Sequence, residues 1–404
     1  MSASKNTGEI LEITFGLLFA LIWAQEPSGQ LTSERGPSPE DPKITYSFHT
    51  SKPLRGLRLR TASQRRKLAC KVVVGGFFGS EGKGKVVAYL ALRDKPSIVA
   101  RGGVGPNAGH TIVHSGHEYR LRQIPSGFTS RDSRLLIGAG VLADPDVFFR
   151  EIAITETQGR VGIDNQCTIV EPRHTERERE DAHLMQVVKS SGTGVGPCME
   201  DRVKRIAKLA KDCSNLAPYL TDVAEEIHAA LDAGQAVLVE GTQGTFLSLY
   251  HGTYPHCTVK DVTASSICGD VGIGPTKVDD VVVVFKSTVT RSSPAGPLPG
   301  ELSERDVQKK GWQETTTVTR KPRRIAPFNL EMAKRAVRLN GATQVVVTKL
   351  DGLYPSCSGL RSYEKLPSNA RQFLDSLEAK VKVPVTLIGT GPDTLDMIDR
   401  TLRC

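Results

Sequence analysis

Gly79-Ser80-Glu81-Gly82-Lys83-Gly84-Lys85 is the stretch of this 404-residue chain whose residue types most directly imply chemistry. Small side chains let the backbone approach phosphate oxygens, so that successive amides point at an anion, and Lys83 and Lys85 add positive charge. The spacing is not the usual GxxxxGK[ST] of P-loop proteins. A glycine-rich turn alone also serves simply to reverse the chain, its lysines facing solvent. The setting favours phosphate binding: a strand before the loop, a helix after it and two lysines inside it. The cysteines, at positions 70, 167, 198, 213, 257, 268, 357 and 404, form no CxxC pair. Their scatter argues against a structural zinc site and a disulfide framework, and fits reduced thiols in a cytosolic enzyme.

Positioning such a loop takes an α/β body, and the hydrophobic pattern supplies one. Residues 71–74 (KVVV) read as a buried strand and residues 86–92 as the helix that follows the loop. Further strands are expected at 97–100, 134–137, 236–240, 281–285, 344–348 and 385–388. Helices are expected at 146–156, 203–209, 217–233 and 330–339. Short β-branched runs such as VVVVF and QVVVT suit strands covered on both faces. The alternation predicts one large α/β domain over residues 70–404, with a mainly parallel central sheet flanked by helices and a P-loop-like GSEGKGK turn.

The formal charge of +9 suits an anionic partner, whether nucleic acid, membrane or a phosphorylated small molecule. Part of it is in the first seventy residues, with ten Lys and Arg against six Asp and Glu. Only 5% of residues are aromatic, which disfavours base-stacking on single strands. Residues 13–24 (ITFGLLFALIWA) are too short for a bilayer span, which needs about 20 residues. Residues 26–69 are rich in Pro, Ser and Arg without periodicity. Residues 1–69 therefore read as a disordered, dispensable extension, with a targeting leader or a membrane anchor as alternatives. Neither a nucleic-acid nor a membrane partner is expected, and the expected setting is cytoplasmic.

Several segments, in order, resemble the adenylosuccinate synthetase family. GFFGSEGKGK is similar to its GxxGDEGKGK phosphate loop, and Asn107-Ala108-Gly109-His110-Thr111 to NAGHT. Ser191-Gly192-Thr193-Gly194-Val195-Gly196-Pro197 with Glu200-Asp201-Arg202 resembles TGxGIGPxxEDK. Residues 240–245 resemble EGAQGT and residues 251–255 match HGTYP. Residues 319–324 resemble TGRPRR, residues 348–351 match TKLD, and residues 389–392 resemble S-x-G-P.

The resemblance implies a Mg2+-dependent ligase joining L-aspartate to C6 of a purine nucleotide through a 6-phosphoryl intermediate. It implies His110 as general acid toward the transferring phosphoryl group, with Lys83 and Gln243 in the catalytic set. Asn107, Ser191, Gly192, Thr258 and Lys321 would join Gln243 on the purine nucleotide. Arg205 would reach that nucleotide's phosphate from the partner of a homodimer. Gly82, Lys83, Gly84, Lys85, Thr111, Arg323, Lys349, Asp351, Gly389 and Gly391 would hold the triphosphate. Thr317, Val318, Thr319 and Arg323 would hold aspartate; Lys321 stands where the family has arginine, which loses bidentate geometry. Position 80 and the Gly109 carbonyl would be magnesium ligands.

Ser80 is the main departure, since the family has a catalytic aspartate there. A serine hydroxyl is no general base near neutral pH. Smaller than aspartate, it leaves room for a 2-amino group on the purine. The pattern resembles a phage-associated branch that acts on dGMP, giving 2-amino-2′-deoxyadenylosuccinate, with ATP or dATP as donor; Ser292 fits near the ribose-contact stretch. The alternatives are an ordinary synthetase using IMP and GTP, for which Asp351 speaks, and a non-catalytic nucleotide-binding homologue. Glu81, a water or the triphosphate remains to take the N1 proton. His251, His256 and the charge run at 176–181 read as structural or solvated.

Overall fold

The valine run after Cys70 has the same residue type on both sides of the pleat, which only a strand covered on both faces tolerates. In the structure, a computed structural model describing residues 70–315 and 322–401, that run forms β1 (Cys70–Gly75). Val72 and Val74 pack to one side with Phe77, Val283 and Phe285. Val73 packs to the other with Val86, Val87 and Leu90. The expected extension over residues 1–69, and Thr317, Val318, Thr319 and Lys321, lie outside the described residues.

Along the chain follow α1 (Lys83–Asp94), β2 (Ile98–Arg101), the hairpin β3 (His110–His114) and β4 (His117–Leu121), β5 (Arg134–Ile137) and α2 (Pro145–Thr155). Next come β6 (Val161–Asp164), α3 (Pro172–Glu180), α4 (Val195–Lys204), β7 (Leu220–Thr221), α5 (Val223–Asp232) and β8 (Val237–Glu240). Then α6 (Ala264–Asp270), β9 (Asp280–Lys286), β10 (Thr288–Arg291), β11 (Arg324–Pro327), α7 (Leu330–Asn340) and β12 (Gln344–Thr348). Last are α8 (Ser368–Val381), β13 (Val385–Gly389) and β14 (Met397–Asp399). Ten strands form one sheet in the order β14-β13-β12-β9-β1-β8-β2-β5-β6-β7. Every neighbouring pair is parallel except β13–β14.

α7 and α8 cover one face with Ala333, Val337, Leu374 and Leu377, while α1 and α2 cover the other with Val87, Leu90, Phe148 and Ile152. Truncating a fully buried Leu374 to alanine would cost about 2–5 kcal/mol. The helix expected at 203–209 is displaced: α4 ends at Lys204, where Arg205 takes a left-handed φ of 63° and closes the helix. The β3–β4 hairpin was hidden because glycine and histidine interrupt its pattern. Parallel order puts every carboxyl strand end on one edge, the usual location of α/β sites. The loops after β1, β2, β8, β12 and β13 are the segments singled out in the sequence.

Candidate active site

The loops after β1, β2 and β8, with residues 188–191, 256–259 and 291–294, line a cavity of about 590 Å³. Its phosphate-loop wall is built on a buried carboxylate. Glu81 Oε1 accepts from the amides of Phe77 (3.0 Å) and Gly79 (2.7 Å), and Oε2 accepts from Lys83 Nζ at 2.9 Å. Lys83 also donates to the Gln243 carbonyl. A Cβ on Gly75 would sit 2.5 Å from Glu81 Oε2, so only glycine fits beneath this pair. Gly82 begins α1 at φ 85°, a left-handed conformation suited to glycine. Ser80 lies at φ 64° on the cavity wall, half-buried. Glu81 was open as acceptor of the N1 proton; its carboxylate is turned inward and 1% exposed, which removes it from that role.

His110 opens β3 and lines the cavity. Its Nδ1 is hydrogen-bonded to Glu240 Oε1 at the end of β8. Glu240 is fully buried and also accepts from Arg101 (2.9 Å) and from the Ser126 amide (2.6 Å) and hydroxyl (2.5 Å). Burial pushes the Glu240 carboxyl up, but Arg101, His110 and Ser126 outweigh it and bring it down to about 2. The ionised carboxylate accepts from Nδ1–H, and the Arg101 guanidinium lies 2.8 Å from the same nitrogen; in that tautomer Nε2 is the unprotonated ring nitrogen. Burial, then Arg101, lowers His110 to about 4 despite Glu240, so the unliganded imidazole is neutral near pH 7. Arg101, Glu240 and Ser126 carried no assigned role from sequence; the signal for Glu240 was its place opening the EGTQGT segment.

Elsewhere on the cavity wall, Gln243 Nε2 donates to Asn107 Oδ1 at 3.2 Å, and Asn107 Nδ2 to Thr258 Oγ1 at 3.5 Å. Thr242 donates to Gln243 Oε1, fixing the amide's orientation. Ser191 lines the cavity and bonds Thr193 at 2.8 Å. Glu178 corrects the solvated reading of residues 176–181. It is fully buried and accepts from Ser190 Oγ and the Gly194 amide, holding the loop that carries Ser191 and Gly192. Helical spacing was the available signal, since His174, four residues earlier, is equally buried. His256 also lines the cavity, its Nδ1 buried without a partner among the described residues, so it is not merely solvated. Arg205 is exposed and does not line this chain's cavity.

Gly84, Gly109, Thr111 and Arg323 line the cavity, as do Ser292 and Ser293. Lys85, Lys349, Asp351, Gly389 and Gly391 are outside its lining but join at the carboxyl ends of β12 and β13. Lys85 Nζ donates to the carbonyls of Gly391 (2.5 Å) and Asp396 (2.9 Å), and burial lowers it to about 8. Asp351 Oδ1 is buried with no partner among the described residues, an acceptor awaiting a donor. Among the same residues no cluster of three or more His, Cys, Asp or Glu suits a metal, and no helix is long and apolar enough to cross a membrane.

A parallel sheet with a lysine-bearing glycine loop at its carboxyl edge and a buried histidine–carboxylate pair on the same cavity have the form of an α/β enzyme. The family model described as adenylosuccinate synthetase matches residues 72–215 and 206–356. The adenylosuccinate synthetase of Thermococcus onnurineus is 52% identical, covering 81% of this chain and 98% of its own; that of Pyrococcus sp. is 53% identical with the same coverage. Among solved structures, fully ligated adenylosuccinate synthetase from Plasmodium falciparum superposes with TM-score 0.74 at 23% identity, covering 81% of this chain and 99% of that one. Cyanophage S-2L succinoaminodeoxyadenylate synthetase, bound to dGMP and to dATP as energy donor, gives 0.70 at 26%, covering 82% and 95%. The chain belongs to the adenylosuccinate synthetase family and is a C–N bond-forming ligase.

Proposed function

We propose that this ligase condenses L-aspartate with inosine monophosphate at the expense of GTP. The carrying observation is identity of 46–53% to archaeal adenylosuccinate synthetases over 81–82% of the chain. Asp351 supports the donor: guanine offers adjacent N1–H and N2–H donors to a carboxylate, and Asp351 Oδ1 is a buried acceptor without one.

The 6-oxygen of the purine attacks the γ-phosphorus, releasing the nucleoside diphosphate and leaving a 6-phosphoryl purine. The amine of aspartate then displaces inorganic phosphate at C6. Gln243, oriented by Thr242 and Asn107, holds the 6-oxygen as it gains charge. His110, its ring fixed by Glu240, presents Nε2 to the phosphoryl oxygens, whose charge draws a proton onto it. Loop amides and Lys83 receive the phosphates, Ser191 and Thr258 the 5′-phosphate, and Arg323 with Lys349 the far end of the triphosphate. The Thr317–Val318–Thr319 stretch with Arg323 would take the aspartate, Lys321 would join the purine nucleotide, and Arg205 would serve the other subunit of a homodimer. The Ser80 hydroxyl and Gly109 carbonyl are neutral oxygens, fitting Mg2+ already charge-balanced by a triphosphate. Bound there, the ion neutralises phosphate charge. With Glu81 committed to the loop, the N1 proton leaves to water or to the triphosphate. Residues 70–404 would form the catalytic unit.

A second reading rests on Ser80: with serine on the cavity wall where the family has aspartate, the site has space for a 2-amino group, and dGMP with ATP or dATP would be the substrates. The test is to incubate the protein with aspartate and Mg2+, offering IMP or dGMP, each with GTP, ATP or dATP. Mass spectrometry then reads the succinyl adduct. An adduct with IMP supports the proposal. An adduct with dGMP alone replaces it by the second reading, and none with either nucleotide removes both.

A further inference from the structure

Glu314 belongs to no segment singled out in the sequence, yet it is the anion around which the cationic wall is assembled. Lys286 Nζ donates to its Oε2 at 2.7 Å, Lys349 Nζ donates to its Oε1, and Arg323 Nη1 lies 3.5 Å from Oε2. Lys286, at the carboxyl end of β9, is itself buried and also donates to Thr290 Oγ1 at 2.7 Å. The backbone secures the arrangement: the Arg323 amide donates to the Glu314 carbonyl at 2.9 Å, and Thr315 bridges to Pro322. Three cations share one carboxylate, so the cluster has a net positive charge. Arg323 lines the cavity, and its buried Nε has no partner among the described residues. Without a counterion between them, like charges this close repel, and flexible lysines turn to water.

We propose that Glu314 is a positioning residue for the triphosphate. It gathers Arg323, on the cavity wall, and Lys349, on the same carboxylate outside the lining, before the ligand arrives, while Lys286 beneath anchors the carboxylate. The anion then meets cations already in place, and little ordering remains to oppose binding. Glu314 itself acts through these two side chains and touches no substrate. The inference rests on the reading of Arg323 and Lys349 as triphosphate ligands.

The test is Glu314→Gln, which keeps size and removes charge, with steady-state rates measured against triphosphate and, separately, purine nucleotide. The expected result is a KM for triphosphate raised about tenfold or more, as for other outer-layer supports. The KM for purine nucleotide should stay within about twofold. Because Lys286 loses its counterion in that variant, Glu314→Gln/Lys286→Met is made alongside. It should melt near the wild type while its triphosphate KM stays raised. An unchanged triphosphate KM in the stable double variant overturns the proposal, and so does a lowered one, which would make Glu314 a competitor of the phosphates. The underlying reading is checked separately by calorimetric titration of the wild type and Arg323→Ala with the triphosphate. Equal affinities there would refute the ligand assignment, whatever Glu314 does.

Discussion

Replacing Glu240 by glutamine isolates what the buried carboxylate does for His110. Glu240 is unexposed and Arg101 is 1% exposed, their ion pair spanning 2.9 Å. Glutamine keeps one acceptor oxygen but turns an NH2 toward groups that all donate: Arg101, His110 Nδ1–H and the Ser126 amide. Breaking a buried pair by neutralising one partner costs about 3–5 kcal/mol, because the other charge is stranded. For a domain of this size that is a fall in Tm of about 4–7 °C. The imidazole also loses its orienting acceptor and part of what favours its protonated form. With general acid catalysis contributing roughly 10²–10⁴-fold, kcat should fall by about 10² or more. The assay pairs thermal melts with succinyl-adduct formation at saturating substrates. Arg101→Met/Glu240→Gln removes the stranded charge, so its Tm should recover while kcat stays low. A variant that keeps kcat within about threefold of wild type would refute the claim that Glu240 equips His110 for proton donation.

Other outcomes follow from the same geometry. Glu178→Ala frees the loop held through Ser190 and Gly194, so the KM for purine nucleotide should rise about tenfold with the triphosphate KM unmoved, by initial-rate kinetics. Folding holds His110 near 4 against about 6.5 in the unfolded chain, so between these values the unfolded state binds more protons. Stability should therefore decline as pH falls from about 6.5 to 4, by up to about 3 kcal/mol, and urea titrations of His110→Asn should show a flatter decline. Triphosphate binding should draw a proton onto the neutral His110; calorimetry in buffers of different ionisation heat should show uptake near pH 7 that His110→Asn abolishes. Lys85→Ala strands the Gly391 and Asp396 carbonyls and should cost about 1–3 kcal/mol in urea unfolding.

The sheet was largely legible because its strands are short β-branched runs buried on both faces: residues 134–137 and 344–348 were placed to the residue. The helix at the Arg205 turn was misplaced because its ending is set by a backbone conformation that Val203 and Ile206 do not announce. Among candidate site residues, some that line the cavity were legible from motif context, as with Ser80, His110 and Gln243. The residues that hold them were not. Glu81, Glu178, Glu240 and Glu314 look like ordinary charged residues in a sequence, and only tertiary structure turns each inward onto one loop or one cationic group. Charge buried at long sequence separation leaves no local periodicity to read.

β1 is the first strand of the described chain and lies in the interior of the sheet, flanked by β8 and β9. Cys70 pairs with Val237, and Lys71 with Asp280. At about 5–20 residues per second of synthesis, the valine strand waits roughly 10–30 s for either neighbour to be made. In that interval its edges are open to any passing chain, as is the face carrying Val72 and Val74, whereas α1 follows at once to cover Val73. Production of this protein should therefore depend on how well the nascent valine segment is shielded, more than on the stability of the finished sheet.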